Sequence, residues 1–415
     1  MRSPRVVYWN SIPSPYVVGR FNALVRRGNL NFEAWFNEER EPDRSWIVNE
    51  EDWHFRGRYL PRGRAVGGRL QLPLAELHDA GPDLLVSLYA SASFALGSFA
   101  ASAMGARVAY RVLPTFNAWT QRSPWKELLK RFLFRTVDGV KVPGPDGARM
   151  ARRYGVPRER IHLVRQSVDV EHYRRALDVT PASRADQRQR LGLQGCVFLY
   201  VGRLWSGKGL DYLFDAYRRV RRERADLSLL LVGDGIDEAR YRALARTLPD
   251  VTFAGFVQPS DLPSYYALAD VLVLPTLGDP HGLVVEEAMA AGLPVICTEA
   301  AGDIRQRLPE GRAGFVVPPA DATRLADRMI LLAADAAMRT RLGAVGLEQV
   351  SGYAHDQWAA DFEAFVERIL SMPRRRTLQA TFARAAGFSI LAGTKGSPAP
   401  SRRRATVRRP RSPSG

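Results

Sequence analysis

Cysteine is nearly absent from this sequence of 415 residues, in which only Cys196 and Cys297 occur. The two lie about a hundred residues apart, so they form neither a CxxC pair nor a zinc cluster. We expect both to be small core residues of a protein in a reducing compartment. No run approaches the roughly 18 consecutive apolar residues that a membrane helix needs.

A secretory signal is also missing. The first residues, MRSPRVVYWN, lead straight into a strand-like segment, without an apolar stretch or a small-residue cleavage site. We therefore expect a cytoplasmic protein. Its hydrophobic fraction of 46% and its aromatic fraction of 10% are typical of a globular protein with real cores, and its length favours two domains.

Acidic residues are absent from residues 373–415, which contain eleven basic ones. This tail supplies eleven of the seventeen net positive charges of the chain, and the remainder has an ordinary charge balance. Arginines without interleaved aromatic side chains give only non-specific attraction to phosphate, so we expect no specific nucleic-acid partner. From its composition we expect the tail to be largely disordered, in particular beyond Gly393.

The remaining chain shows two series of α/β units joined by a polar segment. Strand and helix patterns alternate over residues 5–165, weaken, and restart at CVFLYVGRL, which predicts two doubly wound parallel sheets. A cleft between two such domains is the natural ligand site. We place the first Rossmann-like domain at 1–172, the linker at 173–195, the second Rossmann-like domain at 196–352, a C-terminal helix at 353–372 and the basic tail at 373–415.

The stretch DPHGLVVEEAMAAGLPVI, residues 279–296, places charge inside an apolar helix. At 100° per residue, Glu287 falls within the apolar arc and Glu286 points away from it. A buried carboxylate requires hydrogen-bond donors, which a structural ion pair or the vicinal hydroxyls of a ribose could supply. The helix begins close to Gly282, so its free N–H groups lie at the carboxyl edge of the sheet, where anions bind.

A second anion feature is VGRLWSGKG, residues 201–209. Arg203 and Lys208 flank two glycines in a strand-to-helix turn, where two cations and flexible backbone can converge on a phosphate. Gly209 follows Lys208, so the turn does not fit a P-loop. Lys208 is one of only five lysines in a chain with 55 arginines, which makes its presence in this turn informative.

Two common nucleotide motifs are missing. No GxGxxG follows the first strand, which argues against a nicotinamide or flavin site, and no DxD triplet occurs. The lack of DxD disfavours the metal-bound nucleotide-sugar site of single-domain transferases. We expect no cofactor and no metal.

Six segments together resemble the retaining, two-domain GT-B nucleotide-sugar glycosyltransferases of family 4. They are YGVPRERIHLVRQSVDVEHY, VGRLWSGKG, LLLVGDG, VTFAGFV, ADVLVLPT and HGLVVEEAMAAGLPVI, in family order. The similarity is strong over residues 137–320 and weak before residue 136. It implies a metal-independent transferase that moves a sugar, with retention, from a UDP- or GDP-sugar to a glycan or lipid-linked acceptor.

The resemblance also assigns roles to residues. It implies that Arg203 and Lys208 grip the donor diphosphate, that Glu287 binds the ribose, and that Asp279 replaces the first glutamate of the family's pair. Asp279 either contacts the transferred sugar or only caps the helix. The implied catalytic residues are Asp279, Arg203 and Lys208, and the implied donor-binding residues are Gly202, Arg203, Lys208, Phe256, Val257, His281, Gly282, Leu283 and Glu287.

The N-terminal half departs most from the family, with NSIPSPY after its first strand. We expect acceptor contacts from Ser14, Tyr16, Tyr89 and Asn117. The basic, aromatic helix at residues 122–137 predicts a peripheral association with an anionic membrane, although a half-buried domain helix with a solvated basic face fits the pattern equally well. Two other functions remain open: a GT-B nucleotide-sugar epimerase, and a nucleic-acid-binding protein that acts through its tail.

Overall fold

The computed structural model describes residues 2–40, 45–61, 72–89, 91–113 and 123–394. Its N-terminal domain is built around a parallel sheet of seven strands in the order β3-β2-β1-β4-β5-β6-β7. The strands are β1 (Arg5–Asn10), β2 (Asn31–Phe36), β3 (Arg56–Tyr59), β4 (Leu84–Ser87), β5 (Arg107–Arg111), β6 (Gly139–Val142) and β7 (Ile161–Leu163). The order reverses direction beside β1, so the sheet is doubly wound, as predicted.

Helices cover both faces of this sheet. They are α1 (Pro15–Arg26), α2 (Leu74–Ala80), α3 (Ala92–Ala103), α4 (Pro124–Thr136) and α5 (Pro145–Arg153). The sequence pattern missed β3 and α2. The edge strand β3 reads RGRY and is only half-buried, so it lacks the apolar alternation that identifies a strand.

The C-terminal domain contains a second parallel sheet, of six strands in the order β10-β9-β8-β11-β12-β13. Its strands are β8 (Cys196–Val201), β9 (Leu227–Val232), β10 (Val251–Gly255), β11 (Val271–Leu274), β12 (Val295–Thr298) and β13 (Gly314–Val317). Its helices are α8 (Leu210–Glu223), α9 (Glu238–Ala245), α10 (Leu262–Leu268), α11 (Val284–Ala290), α12 (Ile304–Arg307), α13 (Ala322–Ala334) and α14 (Ala336–Gln349). Two doubly wound sheets confirm the predicted fold class.

Two segments join the domains. The polar segment predicted as a linker contains helix α7 (Pro181–Arg190), and helix α6 (Val170–Arg174) spans its start; Asp169 and Thr180 cap the two helices. Helix α15 (His355–Ser371) returns to the N-terminal domain and packs against α1. On α15, Trp358 and Phe362 stack on each other and join the aromatic core around Phe21 and Tyr8. The chain therefore crosses twice between the two sheets.

The prediction of a largely disordered tail is wrong for its first part. Helix α16 (Leu378–Thr394) packs closely on α3, and the Arg375 guanidinium donates to the carbonyls of Phe134 and Gly155. At Gly387 a Cβ would lie 2.2 Å from the carbonyl oxygen of Phe99, so only glycine allows this approach. Residues 395–415 lie outside the described residues. Over the part of the chain that the structure covers, no helix is both long and apolar enough to span a bilayer.

A candidate nucleotide-sugar cavity between the two domains

A cavity of about 640 Å³ lies between the carboxyl edges of the two sheets. Parallel α/β sheets bind ligands at this edge, because the loops that follow the strands meet there. The cavity brings together nearly all of the predicted site residues: Ser14, Tyr16, Gly202, Arg203, Lys208, Phe256, Val257, Asp279, His281, Gly282, Leu283 and Glu287. The two domains thus contribute to one concave site.

The turn after β8 presents Lys208 to the cavity. A single 3₁₀ turn, Ser206–Lys208, precedes Gly209, which has φ +71° and lies against the carbonyl of Pro275, where a Cβ would be 2.0 Å from the oxygen. Glycine is required there by both the backbone angle and the contact. The Lys208 ammonium forms an ion pair with the Asp279 carboxylate, and both side chains are mostly buried. The guanidinium of Arg203 lies over the Trp205 ring.

Asp279 is held as a carboxylate. Burial favours its neutral form, but the Lys208 ammonium outweighs burial and lowers the pKa of Asp279 to about 2. Its second oxygen accepts from the backbone N–H of His281 at 2.9 Å. Helix α11 begins at Val284, with Leu283 as its N-terminal flanking residue, so Asp279 does not cap that helix. Of the two roles considered for Asp279, the structure removes the capping role.

The Lys208–Asp279 pair makes a pH-dependent contribution to folding. Because the pKa of Asp279 is lowered from 3.8 to about 2 in the folded chain, the stabilisation is complete above pH 4. It is lost as the pH falls from about 4 to about 2, and it amounts to roughly 2 kcal/mol. In denaturant unfolding at several pH values, Asp279→Asn should flatten this part of the profile. An unchanged profile would mean that Asp279 titrates normally.

Glu287 is fully buried, as its helical phase predicted, and its carboxylate accepts hydrogen bonds from tyrosine hydroxyls of other helices. The hydroxyl of Tyr16, on α1, donates to Oε1 at 2.5 Å, and that of Tyr266, on α10, donates to Oε2 at 2.6 Å. Burial nevertheless raises the pKa of Glu287. The sequence did not identify Tyr266 as a partner, because nothing in SYYAL distinguishes one tyrosine from the next. Tyr16 links the two domains at this point.

The expectation that Glu286 points away from the core is wrong. Glu286 is 1% exposed, and the Arg307 guanidinium, 4% exposed, pairs with it at 2.5 Å. Burial alone would raise the pKa of Glu286, but the Arg307 charge lowers it. Helix α11 is enclosed by α6 on one side and α14 on another, so it has no outward face. A helical wheel assumes one solvent side, and here that assumption fails.

His281 lies beneath the cavity and is 5% exposed. Burial and the nearby Arg307 charge lower the pKa of the imidazole. Its carbonyl accepts from Arg307, which also binds the carbonyl of Gly302 at 3.1 Å. Arg307 therefore fixes the loop that contains Asp279 and His281. No sequence pattern indicates this role, because Arg307 lies in a short helix beside another arginine, Arg305.

Two predicted acceptor residues are not placed at the cavity. Tyr89 packs its ring against Phe134 at 4.8 Å in the N-terminal core, and Asn117 lies outside the described residues. Several residues of the cavity wall were not indicated by the sequence, among them Arg20, Trp46, Arg111 and Gln166. Among the residues that the structure covers, no three histidine, cysteine or acidic side chains are grouped to hold a metal ion.

Comparison with known sequences identifies similarity in the C-terminal domain. Residues 195–335 match the family model described as glycosyl transferases group 1. The chain is 32% identical over 197 residues to alpha-D-kanosaminyltransferase of Streptomyces kanamyceticus, covering 46% of this chain and 50% of that protein. It is 32% identical over 255 residues to a GDP-mannose-dependent phosphatidylinositol monomannoside mannosyltransferase of Mycobacterium tuberculosis, covering 59% and 63%. The chain thus spans about half to two thirds of the length of these two relatives.

Comparison with solved structures extends the similarity to both domains. HepE of Anabaena, solved in complex with UDP, superposes with a TM-score of 0.72 at 17% identity, over 88% of this chain and 99% of that one. Sucrose-phosphate synthase of Thermosynechococcus elongatus superposes with a TM-score of 0.69 at 22% identity, over 88% and 99%. At these identities the likeness establishes the fold, which is GT-B.

Proposed function

Residues 195–335 belong to the glycosyl transferases group 1 family, and on that premise we propose that the protein is a retaining, metal-independent glycosyltransferase. It takes a sugar from a nucleotide diphosphate sugar and transfers it to a glycan or lipid-linked acceptor. The observation that carries the proposal is the cavity in which Lys208, Arg203 and Asp279 converge from the nucleotide-side domain.

The cations supply what the leaving group requires. When the bond between the anomeric carbon and the donor phosphate breaks, the electron pair stays on the diphosphate, where negative charge builds up. Lys208 and Arg203 line the cavity beside the backbone of Gly282, so they can stabilise this charge as it develops. The acceptor hydroxyl oxygen forms the new bond on the same face of the sugar, and its proton passes to the leaving diphosphate oxygen.

Asp279 is oriented for a contact with the transferred sugar. Lys208 holds one carboxylate oxygen and the N–H of His281 holds the other, so the group is ionised and fixed in direction. A carboxylate that needs no reorganisation can stabilise positive charge on the anomeric carbon. This assignment agrees with the role that the family resemblance implies for the position.

The descriptions of one structural neighbour and one sequence relative mention two different nucleotides. HepE is described in complex with UDP, and the mycobacterial relative is described as GDP-mannose-dependent. We therefore include UDP- and GDP-sugars as donors in the test. The full chain is incubated with each donor, with and without glycan and lipid-linked acceptors, and products are identified by mass spectrometry and by the anomeric configuration in proton NMR.

The expected result is a glycosylated acceptor that has the anomeric configuration of the donor. Conversion of the donor to another nucleotide sugar without any acceptor would instead indicate an epimerase. An inverted product would contradict retention, and full activity in excess chelator is expected if no metal takes part. If the protein neither binds nor consumes any of the donors, the proposal is wrong.

The hydrogen bond between Tyr16 and Glu287 gives a more specific prediction. If the ribose hydroxyls of the donor hydrogen-bond to Glu287, they displace the Tyr16 hydroxyl. The chain must then break one of its own hydrogen bonds to bind the donor. Tyr16→Phe removes this competitor and should tighten nucleotide binding by up to about tenfold, because a hydrogen bond contributes roughly 0.5–1.5 kcal/mol. Tyr266→Phe is the matched control, and it should not tighten binding. Weaker binding in Tyr16→Phe would mean that Tyr16 itself contacts the donor.

A further inference from the structure

Three cations of the N-terminal domain, each on a different element, lie at the cavity or next to its wall. Arg20 on α1 and Lys141 on β6 are each 3% exposed, and Arg111 ends β5. The charged groups of Arg20 and Lys141 lie 5.5 and 5.6 Å from the ring centroid of Trp358, so both cations contact the same aromatic ring. Arg20 and Arg111 line the cavity directly, beside Gln166.

No carboxylate of the described residues pairs with Arg20 or Arg111, although the Asp361 carboxylate acts on Lys141 and offsets part of its charge. Arg20 donates to the side-chain oxygen of Gln166 at 2.7 Å, and Arg111 donates to that of Asn10 at 3.0 Å, so both partners are neutral. The Nε of Arg111 is buried without any partner among the described residues. Burial, together with the charges of Arg111 and Arg20, holds the pKa of Lys141 well below its ordinary value. Buried like charges destabilise the fold unless an anion joins them.

The donor does not account for this cluster. The cations assigned to its diphosphate, Arg203 and Lys208, belong to the C-terminal domain, whereas Arg20 and Arg111 face the cavity from the opposite domain. We propose that Arg20 and Arg111 bind a phosphoryl group of the acceptor, with Lys141 adding charge behind them. This assignment rests on the proposed function and names the acceptor as a phosphate-bearing molecule. Guanidinium groups suit such a group because they donate two parallel hydrogen bonds.

Calorimetric titration with inorganic phosphate tests the proposal on the full chain. Arg111→Gln retains a polar side chain with N–H donors but removes the charge, and it should weaken phosphate binding at least tenfold. Arg26→Gln is the matched control, since Arg26 lies on the same helix as Arg20 but is exposed and pairs with Asp356. It should change phosphate affinity less than twofold. A water-soluble short-chain phosphatidic acid distinguishes a lipid headgroup, which would bind more tightly, from a free phosphate ester.

Two results would overturn the proposal. Equal phosphate affinity in Arg111→Gln and the unmodified chain would place the bound phosphate on the donor cations alone. A parallel loss of phosphate binding and of the thermal shift caused by nucleotide sugars would assign the cluster to the donor. If phosphate binds as expected while no nucleotide sugar binds, the proposed function fails and the anion site stands.

Lys141→Met supplies an independent readout. Removing a buried cation that lies among other cations should raise Tm by a few degrees, because methionine fills the space without the desolvation cost. The same change should weaken phosphate binding, because it removes positive charge next to Arg111. Unchanged phosphate affinity in a stabilised Lys141→Met protein would show that Lys141 has no part in the site.

A second inference concerns the outer surface of the N-terminal domain. Among the described residues, ten large hydrophobic side chains are exposed, and six of them lie on α4 and α16: Trp125, Leu128, Leu129, Leu378, Phe382 and Phe388. The two helices touch, and the rings of Phe132 and Phe382 are 5.7 Å apart. These six side chains form the α4–α16 face. Apolar surface grouped in this way is typical of an interaction site.

The sequence of α16 explains why its outer side is apolar. Small residues, Ala380, Ala383 and Gly387, pack on α3, so the large side chains Phe382 and Phe388 are left outside and are each about 60% exposed. The helix has one charged residue, Arg384. A helix that is apolar on both sides is stable only if a second surface covers its outer side.

Charge complementarity identifies that surface. Lys126 and Arg131 of α4 are exposed, and residues 395–415, which follow α16 directly, contain seven basic residues and no acidic one. We propose that the α4–α16 face lies on an anionic lipid bilayer, with its aromatic side chains in the headgroup region.

Co-sedimentation with lipid vesicles tests this surface. Vesicles with about one third phosphatidylglycerol should bind the protein, and pure phosphatidylcholine vesicles should bind it much less. Phe382→Glu should reduce binding at least tenfold, whereas Ile236→Glu, an exposed position on the other domain, should have no effect. Deletion of residues 395–415 should weaken binding only to anionic vesicles and remove part of its salt dependence. The deletion must start after Thr394, because an earlier end would remove α16 from α3.

Three results would contradict the membrane assignment. The first is vesicle binding by Phe382→Glu that equals binding by the unmodified chain. Sedimentation velocity could show a dimer that Phe382→Glu dissociates, which would make the face a contact between two copies. Retention on single-stranded DNA with loss of vesicle binding would assign the basic segment to nucleic acid.

Discussion

Lys208→Ala is expected to lower turnover by about a hundredfold or more while weakening donor binding far less. The ammonium interacts most strongly with the diphosphate when the sugar has left and the charge has developed, so its loss raises the barrier more than it weakens the ground-state complex. The structure supports this role because Lys208 lies in the cavity wall on a turn fixed by Gly209. Steady-state kinetics and a separate donor titration measure the two effects.

A structural effect of this variant must be separated from the catalytic one. Lys208→Ala leaves the buried Asp279 carboxylate without its ion-pair partner, which also destabilises the fold. The double variant Lys208→Ala with Asp279→Asn removes that unpaired charge, so it should recover most of the lost Tm without recovering turnover. Lys130→Ala, at a lysine paired with Glu127 on α4, is the control for charge alone. Turnover within a factor of two in Lys208→Ala would contradict the assignment.

Glu286→Ala is expected to destabilise the protein by about 3–5 kcal/mol, because it leaves the buried Arg307 without a partner. If Glu286 pointed to solvent, as the helical phase predicts, the same change would have little effect on stability. Arg307 also holds the carbonyls of Gly302 and His281, so the loop that presents Asp279 should loosen as well. Urea unfolding measures the loss, and donor titration measures the loosening.

An exposed pair provides the matched comparison. Glu299 pairs with Arg305 at the surface, with 43% and 60% of the two side chains exposed, so Glu299→Ala should cost less than about 1 kcal/mol. Glu286→Leu combined with Arg307→Met should regain much of the stability lost in Glu286→Ala, since both buried charges are then gone. Equal losses in Glu286→Ala and Glu299→Ala would mean that the buried pair has no special weight.

The sequence predicted the architecture because each buried strand carries its own signal. Strands β8, β9 and β11 read CVFLYV, LSLLLV and VLVL, and they are buried at every position. A parallel sheet covered on both faces requires such continuous apolar runs. The loops that follow these strands must then lie at one edge of the sheet. The sequence therefore predicts that Lys208 and Asp279, which lie in two of these loops, are at the same edge.

Contacts between distant segments could not be predicted in this way. The partners of Glu287 are Tyr16 and Tyr266, which lie 271 and 21 positions away in the chain. The partner of Glu286 is Arg307 on α12, 21 positions further along the chain, and no local sequence pattern relates the two residues. The composition of residues 373–415 does not indicate helix α16, because the arginines on both sides of the helix dominate that composition.

The account depends most directly on the binding of a nucleotide sugar in the cavity between the domains. A thermal-shift screen of the full chain against UDP- and GDP-sugars, repeated with Lys208→Ala and with Lys130→Ala, measures that binding, since a ligand that binds only the folded state raises Tm. We predict that at least one nucleotide sugar raises Tm by several degrees in the unmodified chain and in Lys130→Ala, and by a smaller amount in Lys208→Ala. No increase with any nucleotide sugar, or an equal increase in all three proteins, would contradict the account.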